Sequence, residues 1–244
     1  KGITLYEAEK LMRERNYFAA MMVVKGDADA MLSGYSRSYP KVLKPILKII
    51  GKEEGVSKIA ATNLMNTAKG PIFISDTSIN VDPNAEELAR IAQMTAYTVK
   101  MFGIEPVVAM VSYSNFGSSD HPKAKKINDA VAYLHEHYPE INVDGELQVD
   151  FALNRKMRNS KFPFSKLKDR KVNTLIYPNI DAANGTYKLL KELNTADSIG
   201  PILIGLDKAA HVFQLGASVE EMVNMSAVAA IDAQQKAKRK TNKS

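Results

Sequence analysis

The sequence predicts a largely parallel, doubly wound α/β architecture, and three observations carry that prediction. Short continuous apolar runs recur, as in Pro106 to Val111 and Pro201 to Leu206, the pattern of strands buried on both faces. Between them lie stretches with apolar residues at helical spacing, as in Pro40 to Ile50. The two kinds of segment alternate, which is the order of a parallel sheet with crossover helices.

The elements follow in sequence. Thr4 and Glu7 form a capping-box pair ahead of Ala8, Leu11 and Met12, so a helix opens the chain. Ala19 to Val24 is continuously apolar and reads as a buried strand, and Gly26 to Met31 turns the chain into Leu32-Ser33-Gly34. Val42, Leu43, Ile46, Leu47, Ile49 and Ile50 mark a helix. Lys58 to Leu64 and Pro71 to Ser75 read as strands about a Lys69-Gly70 turn. Asp82-Pro83 supplies an N-cap and a first-turn proline for a helix to about Phe102. A strand at Pro106 to Val111 and a helix at Pro122 to Tyr138 come next, then Val143 to Phe151, whose alternation suits an edge strand. Asn154 to Lys171 is polar and rich in lysine and arginine, Arg158 among them, and is expected to be an exposed, mobile insert. Asn173 to Tyr177 reads as a strand, Asp181 to Leu193 as a helix and Pro201 to Leu206 as a strand. Ser218 and Glu221 then cap the last helix.

Composition narrows the class. The chain has 244 residues, 45% hydrophobic and 25% charged, enough for one large or two small domains. Without cysteine there is no disulfide, thiolate nucleophile or cysteine metal site. No apolar run is long enough for a membrane span and no leader pattern opens the chain, so a cytoplasmic protein is expected. The net charge is +6, and Lys236, Lys238, Arg239, Lys240 and Lys243 account for nearly all of it. That tail reads as a solvated, frayed end, so a nucleic-acid surface is not expected. His135 and His137, two apart on a helix, point to different faces, and with His121 and His211 the only others, no metal site is expected. Dinucleotide, P-loop and nucleophile-elbow signatures do not occur.

Ligands of open α/β sheets collect beyond the carboxyl ends of strands. Three loops leave strands there. Ser112 to Ser119 offers hydroxyls and a glycine just before a helix, donors suited to a phosphate, though the same residues make ordinary turns. Pro178 to Gly185 carries Asp181 and Asn184, which serve equally as helix caps. The third loop is Phe213 to Ser218, where Glu221 is as much a capping partner of Ser218 as a reactive carboxylate.

Several blocks occur in one order: Lys1-Gly2-Ile3-Thr4, Tyr17-Phe18 with Met21-Met22-Val23, Gly26-Asp27-Ala28-Asp29-Ala30-Met31, Ser112-Tyr113-Ser114-Asn115 with Gly117-Ser118, Ala183-Asn184 with Tyr187-Lys188-Leu189, and Ile199-Gly200-Pro201-Ile202-Leu203 with Gly205-Leu206. Together they resemble the phosphate acetyl/butyryl transferase family. The resemblance implies two doubly wound α/β lobes with a cleft between them, isocitrate/isopropylmalate dehydrogenase-like, in a homodimer. Residues 1–51 and 202–244 would be the remainder of the first lobe, whose N-terminal part is missing, and residues 52–201 the second. The family's last loop reads Leu-Ser-Arg-Gly-x-Ser-x-x-Asp. Here Gly216 and Ser218 are kept, while Gln214, Leu215 and Glu221 stand at the Ser, Arg and Asp positions that serve CoA binding and thiolate activation. Lys44 stands for a second family arginine.

The resemblance therefore implies retained acetyl-CoA or CoA binding without catalytic residues. Arg37, Lys41 and Lys44 would meet phosphates, with Ser112, Ser114, Asn115, Gly117, Ser118, Asn184 and Gln214 lining the cleft. Asp197 to Pro201, and Val223-Asn224-Met225-Ser226-Ala227 with Ile231-Asp232-Ala233-Gln234, look like the C-terminal portion of large NADP-dependent malic enzymes. Those proteins join a malic enzyme to a phosphate-acetyltransferase-like domain. Acetyl-CoA would then be an effector of malate decarboxylation, and NADP and Mg or Mn would belong to the malic-enzyme module of the same parent chain. Two other readings stand beside this one: an active phosphate acetyltransferase with an atypical loop, and a ligand-free oligomerisation platform.

Overall fold

The computed structural model describes residues 2–241, with the backbone alone at residue 240. It comprises two compact units, one running up to Ile59 and resuming at Gly200, the other Ala60–Ile199.

The first unit begins with helix α1 (Leu5–Met12), whose Thr4/Glu7 capping box is formed on both sides. Helix α2 (Arg15–Lys25) follows. The strand expected at Ala19 to Val24 is thus corrected to helix. Only one side of this run is covered: Asn16, Tyr17, Ala20 and Val23 are buried while Phe18 and Val24 stay exposed. That is helical spacing, concealed in the sequence by apolar residues on the open side. Gly26 ends the helix at φ 86° and donates to the Met22 and Val23 carbonyls, and Asp27 N–H also returns to Met22 O. Strand β1 (Ala30–Ser33) and helix α3 (Tyr39–Ile49) complete this stretch.

The second unit is built from β2 (Ala60–Thr67), β3 (Gly70–Ser75), α4 (Ala85–Met101), β4 (Val107–Val111), α5 (Pro122–His137), β5 (Asn142–Leu147), α6 (Val149–Leu153), α7 (Arg155–Lys161), β6 (Thr174–Ile176) and α8 (Ile180–Glu192). Strand β7 (Ala196–Ile204) leads back into the first unit, which ends with β8 (Ala209–Val212) and α9 (Val219–Thr241). Sheet order is β5-β4-β6-β3-β2-β7, with β3–β6, β6–β4 and β4–β5 parallel and the β2–β3 hairpin antiparallel. In the first unit β1 and β8 pair in parallel, and β8 had no signal in the sequence because His211 breaks its short apolar run.

Alternate residues of each strand serve opposite faces. Ile74, Val107, Ala109, Val111 and Leu175 pack with Ala152 of α6 and Ala183 and Tyr187 of α8. On the other face Phe73 packs with Val99 of α4. The chain leaves β4 through α5 toward β5, and leaves β6 through α8 in the opposite direction, toward β7. Neighbouring parallel strands β4 and β6 therefore form a topological switch point.

Three further expectations are corrected here. The cap of α4 is Asn84, in a capping box with Glu87, and Asp82 instead meets Lys126. Val143 to Phe151 divides into edge strand β5 and helix α6, because Gln148 is held by the loop after β4 and closes the strand. The basic insert is anchored: Arg158 is 0% exposed and its guanidinium donates to the carbonyls of Phe151, Ala152, Leu167 and Arg170. A charge can be buried when most of its donors are bonded in this way, and here only Nε is without a partner among the described residues.

The C-terminal expectation also changes. Helix α9 continues to Thr241, with Lys236 bonded to Leu206 O at 2.6 Å and to Asp232 at 3.5 Å, and Arg239 3.7 Å from Glu53. The side chain of Lys240, and Lys243 altogether, lie outside the described residues.

Candidate ligand-binding site

The loop after β4 is built by the strand end beneath it. Ser112 N–H donates to Leu147 O at 2.9 Å, holding the loop to the end of β5. Gly145, at φ 152°, allows this approach, since a Cβ there would lie 2.7 Å from Met110 O. Asn115 and Gln148 exchange bonds of 2.9 and 2.8 Å, and the Ser114 and Ser118 hydroxyls meet at 2.9 Å. Phe116 N–H donates to Glu146 O, and Gly117 N–H to the Glu146 carboxylate at 3.2 Å. Glu146 is 1% exposed, so part of the loop's donor set already serves an internal carboxylate.

A cavity of about 540 Å³ opens at the carboxyl ends of β4 and β6. Ser112, Tyr113, Lys123, Lys126, Asp82, Tyr177 and Asn179 line it, together with Val111, Pro122, Pro178 and Ala182. Lys126 donates to Asp82 at 2.7 Å and to Pro178 O at 3.1 Å, tying α5 to two loops. That bond, and the charge of Lys126, hold the Asp82 carboxyl below its ordinary value. Asn179 caps α8 through Ala182 N–H, while burial pushes the Tyr177 phenol up. Nearby, Asn184 donates to Thr77 O at 2.9 Å. Asp76 accepts the N–H groups of Ala61, Ser78, Ile79 and Asn80, yet burial outweighs those bonds and raises its carboxyl.

In the first unit, the loop from Phe213 to Ser218 is fixed at its start by Phe213 N–H to Ser33 O at 2.7 Å. Gly34, at φ 120°, makes that contact possible: a Cβ there would fall 2.5 Å from Phe213 O. Gln214 is half-buried and Leu215 is 65% exposed. Glu221 accepts Ser218 N–H, and Ser218 Oγ accepts Glu221 N–H, so both form the cap of α9. Arg37 is paired with Glu14 at 2.6 Å. Lys41, Lys44 and Lys48 all stand exposed along α3, at helical spacing on one side.

Of the residues singled out from sequence, Ser112, Ser114, Asn115, Gly117 and Ser118 come together as one loop, and only Ser112 of these lines the cavity. Asn184 lies in the same unit, bonded to the chain after β3. Arg37, Lys44, Gln214, Leu215 and Glu221 belong to the other unit. Sequence reasoning missed Asp82, Lys123 and Lys126 as cavity groups, because Asp82 looked like a cap and nothing local distinguishes the two lysines within the helix from Pro122. Among the described residues no cluster of three or more His, Asp or Glu is placed to hold a metal ion. His135 donates through Nε2–H to Val143 O at 2.9 Å, and His137 stacks on Tyr133.

The family model for phosphate acetyl/butaryl transferase matches residues 1–230. The chain belongs to that family. It is 42% identical over 236 residues to the NADP-dependent malic enzyme of Haemophilus influenzae, covering 96% of this chain but 31% of that protein. It is also 36% identical over 227 residues to the phosphate acetyltransferase of Bacillus subtilis, covering 93% of this chain and 70% of that enzyme. The solved phosphotransacetylase of Streptococcus pyogenes superposes with a TM-score of 0.88 at 37% identity, over 96% of this chain and 71% of that one. The chain thus spans about a third of the malic enzymes it resembles.

Proposed function

We propose that this chain is a regulatory, acetyl-CoA-binding and catalytically degenerate domain of a multidomain NADP-dependent malic enzyme, acting in the cytoplasm within a homo-oligomer. The parent reaction is oxidative decarboxylation of malate to pyruvate, with NADP and Mg or Mn held by the malic-enzyme module outside these residues. The observation that carries the reading is the loop at Gln214 to Glu221. Leu215 brings no charge and projects into solvent, and Glu221 is engaged in capping α9.

Acetyl transfer needs a group that raises the thiolate content of CoA and a cation for charge developing on the acyl oxygen. Loss of such contacts costs several kcal/mol, about 3 for one oxyanion donor. Binding needs less. The exposed Lys41, Lys44 and Lys48 supply positive charge for phosphates, and Lys44 lacks only the bidentate fork of arginine. Regulation then requires acetyl-CoA to bind two states of the assembly with different affinity.

The rival reading, an active phosphate acetyltransferase, is favoured by the retained Gly216, Ser218 and a carboxylate at Glu221. Acetyl phosphate formation from acetyl-CoA and inorganic phosphate separates the two, since the regulatory reading requires binding without turnover. In the variant Gln214→Ser with Leu215→Arg, a large gain of turnover would mean the rest of the site remains competent.

A further inference from the structure

We propose that the cavity at the carboxyl ends of β4 and β6 binds a small amphiphilic organic anion, with a single carboxylate or phosphate head and an apolar body. Its position is the switch point of the sheet, where open α/β folds place ligands. Its volume of about 540 Å³ suits a small molecule. Val111, Pro122, Tyr177, Pro178 and Ala182 give it largely apolar walls, which offer nothing to an inorganic ion.

Charge selects the head group. Among the lining residues Lys126 is neutralised by Asp82 at 2.7 Å, while Lys123 has no carboxylate within ion-pair distance among the described residues. One positive charge is therefore left over. Ser112 adds a buried donor: its oxygen accepts Ser114 N–H at 3.2 Å, and its own proton has no acceptor among the described residues. Helices α5 and α8 both begin at the cavity, so the positive ends of their dipoles add to the same field. Of the lining residues only Ser112 is also among those expected to meet acetyl-CoA, and the charge that selects the head group here comes from Lys123 and the starts of α5 and α8, which that reading does not use.

The test is a ligand-observed NMR titration of the full-length protein with hexanoate, hexyl phosphate, neutral hexanamide and inorganic phosphate. At least one of the two hexyl anions should bind about tenfold tighter than both hexanamide and inorganic phosphate, and their ranking identifies the head group. Lys123→Met should weaken the better anion about tenfold and leave the unfolding midpoint unchanged, since Lys123 makes no side-chain bond that the fold needs. Failure of both hexyl anions to bind overturns the proposal. So does equal binding of hexanamide, or of inorganic phosphate, or an affinity that Lys123→Met does not alter. Acetyl-CoA titration of the same samples fails or succeeds independently of these outcomes.

Discussion

The Glu221 carboxylate accepts the backbone N–H of Ser218 at 2.8 Å, and Ser218 Oγ accepts the N–H of Glu221 at 3.1 Å. This reciprocal cap gives the loop's carboxylate a structural occupation at the start of α9. Ser218→Ala should destabilise the protein by about 1 kcal/mol, seen as a lower thermal midpoint and faster amide exchange in the first turn of α9. Glu221→Gln should keep most of the cap, because glutamine serves the same position. Acetyl-CoA affinity that collapses in Glu221→Gln while the midpoint holds would assign the carboxylate a ligand role instead.

Arg158 is the anchor of the segment between α6 and β6. Its guanidinium is buried, with both terminal nitrogens bonded to backbone carbonyls and Nε without a hydrogen-bond partner among the described residues, and burial lowers its pKa below the ordinary arginine value. Arg158→Ala would leave four carbonyls without their donor and open a cavity, at a cost of about 3–5 kcal/mol. Arg158→Lys should recover little, since an ammonium lacks the planar fork. Urea unfolding of the three proteins measures both effects.

Asp76 carries the pH dependence. Its carboxyl is raised by burial, so only between the ordinary aspartate value and the raised one does the folded state hold more proton than the unfolded chain. Stability should therefore fall as pH rises from the ordinary aspartate value through the raised one, and level off above it. Asp76→Asn should abolish that slope. It should also cost about 1–3 kcal/mol at neutral pH, because an amide NH₂ would confront the Asn80 donors or the Ala61, Ser78 and Ile79 donors. Unfolding curves across pH, for both proteins, give the comparison.

The Asp82–Lys126 pair behaves oppositely. Its carboxyl is lowered by the Lys126 bond and charge, so its contribution is present above the unfolded value and lost as pH falls through the folded one. Asp82 is 72% exposed, so Asp82→Asn should change stability little and the difference should shrink further in high salt.

The fold was legible wherever burial and periodicity agreed. The strand at Val107–Val111 and the helix at Pro122–His137 stood out because one is apolar throughout and the other opens on proline. Helix α2 was not legible, since Phe18 and Val24 hide its period by being apolar on the exposed side. Arg158 was unreadable for a different reason: nothing local distinguishes an arginine that finds four carbonyls from one that points into water. The loop substitutions at Gln214, Leu215 and Glu221 were read against a family pattern, whereas the cavity at Lys123 and Lys126 depends on β4 and β6 being neighbours, a long-range pairing that no local pattern encodes.

The central claim is binding without chemistry, and one calorimetric experiment addresses it: acetyl-CoA titrated into the full-length protein, with malate decarboxylation and acetyl phosphate formation followed on the same sample. The account predicts saturable binding, a changed decarboxylation rate and no acetyl phosphate. Acetyl phosphate accumulating at the rate of a working transacetylase, or no heat of binding and an unchanged rate, would contradict it.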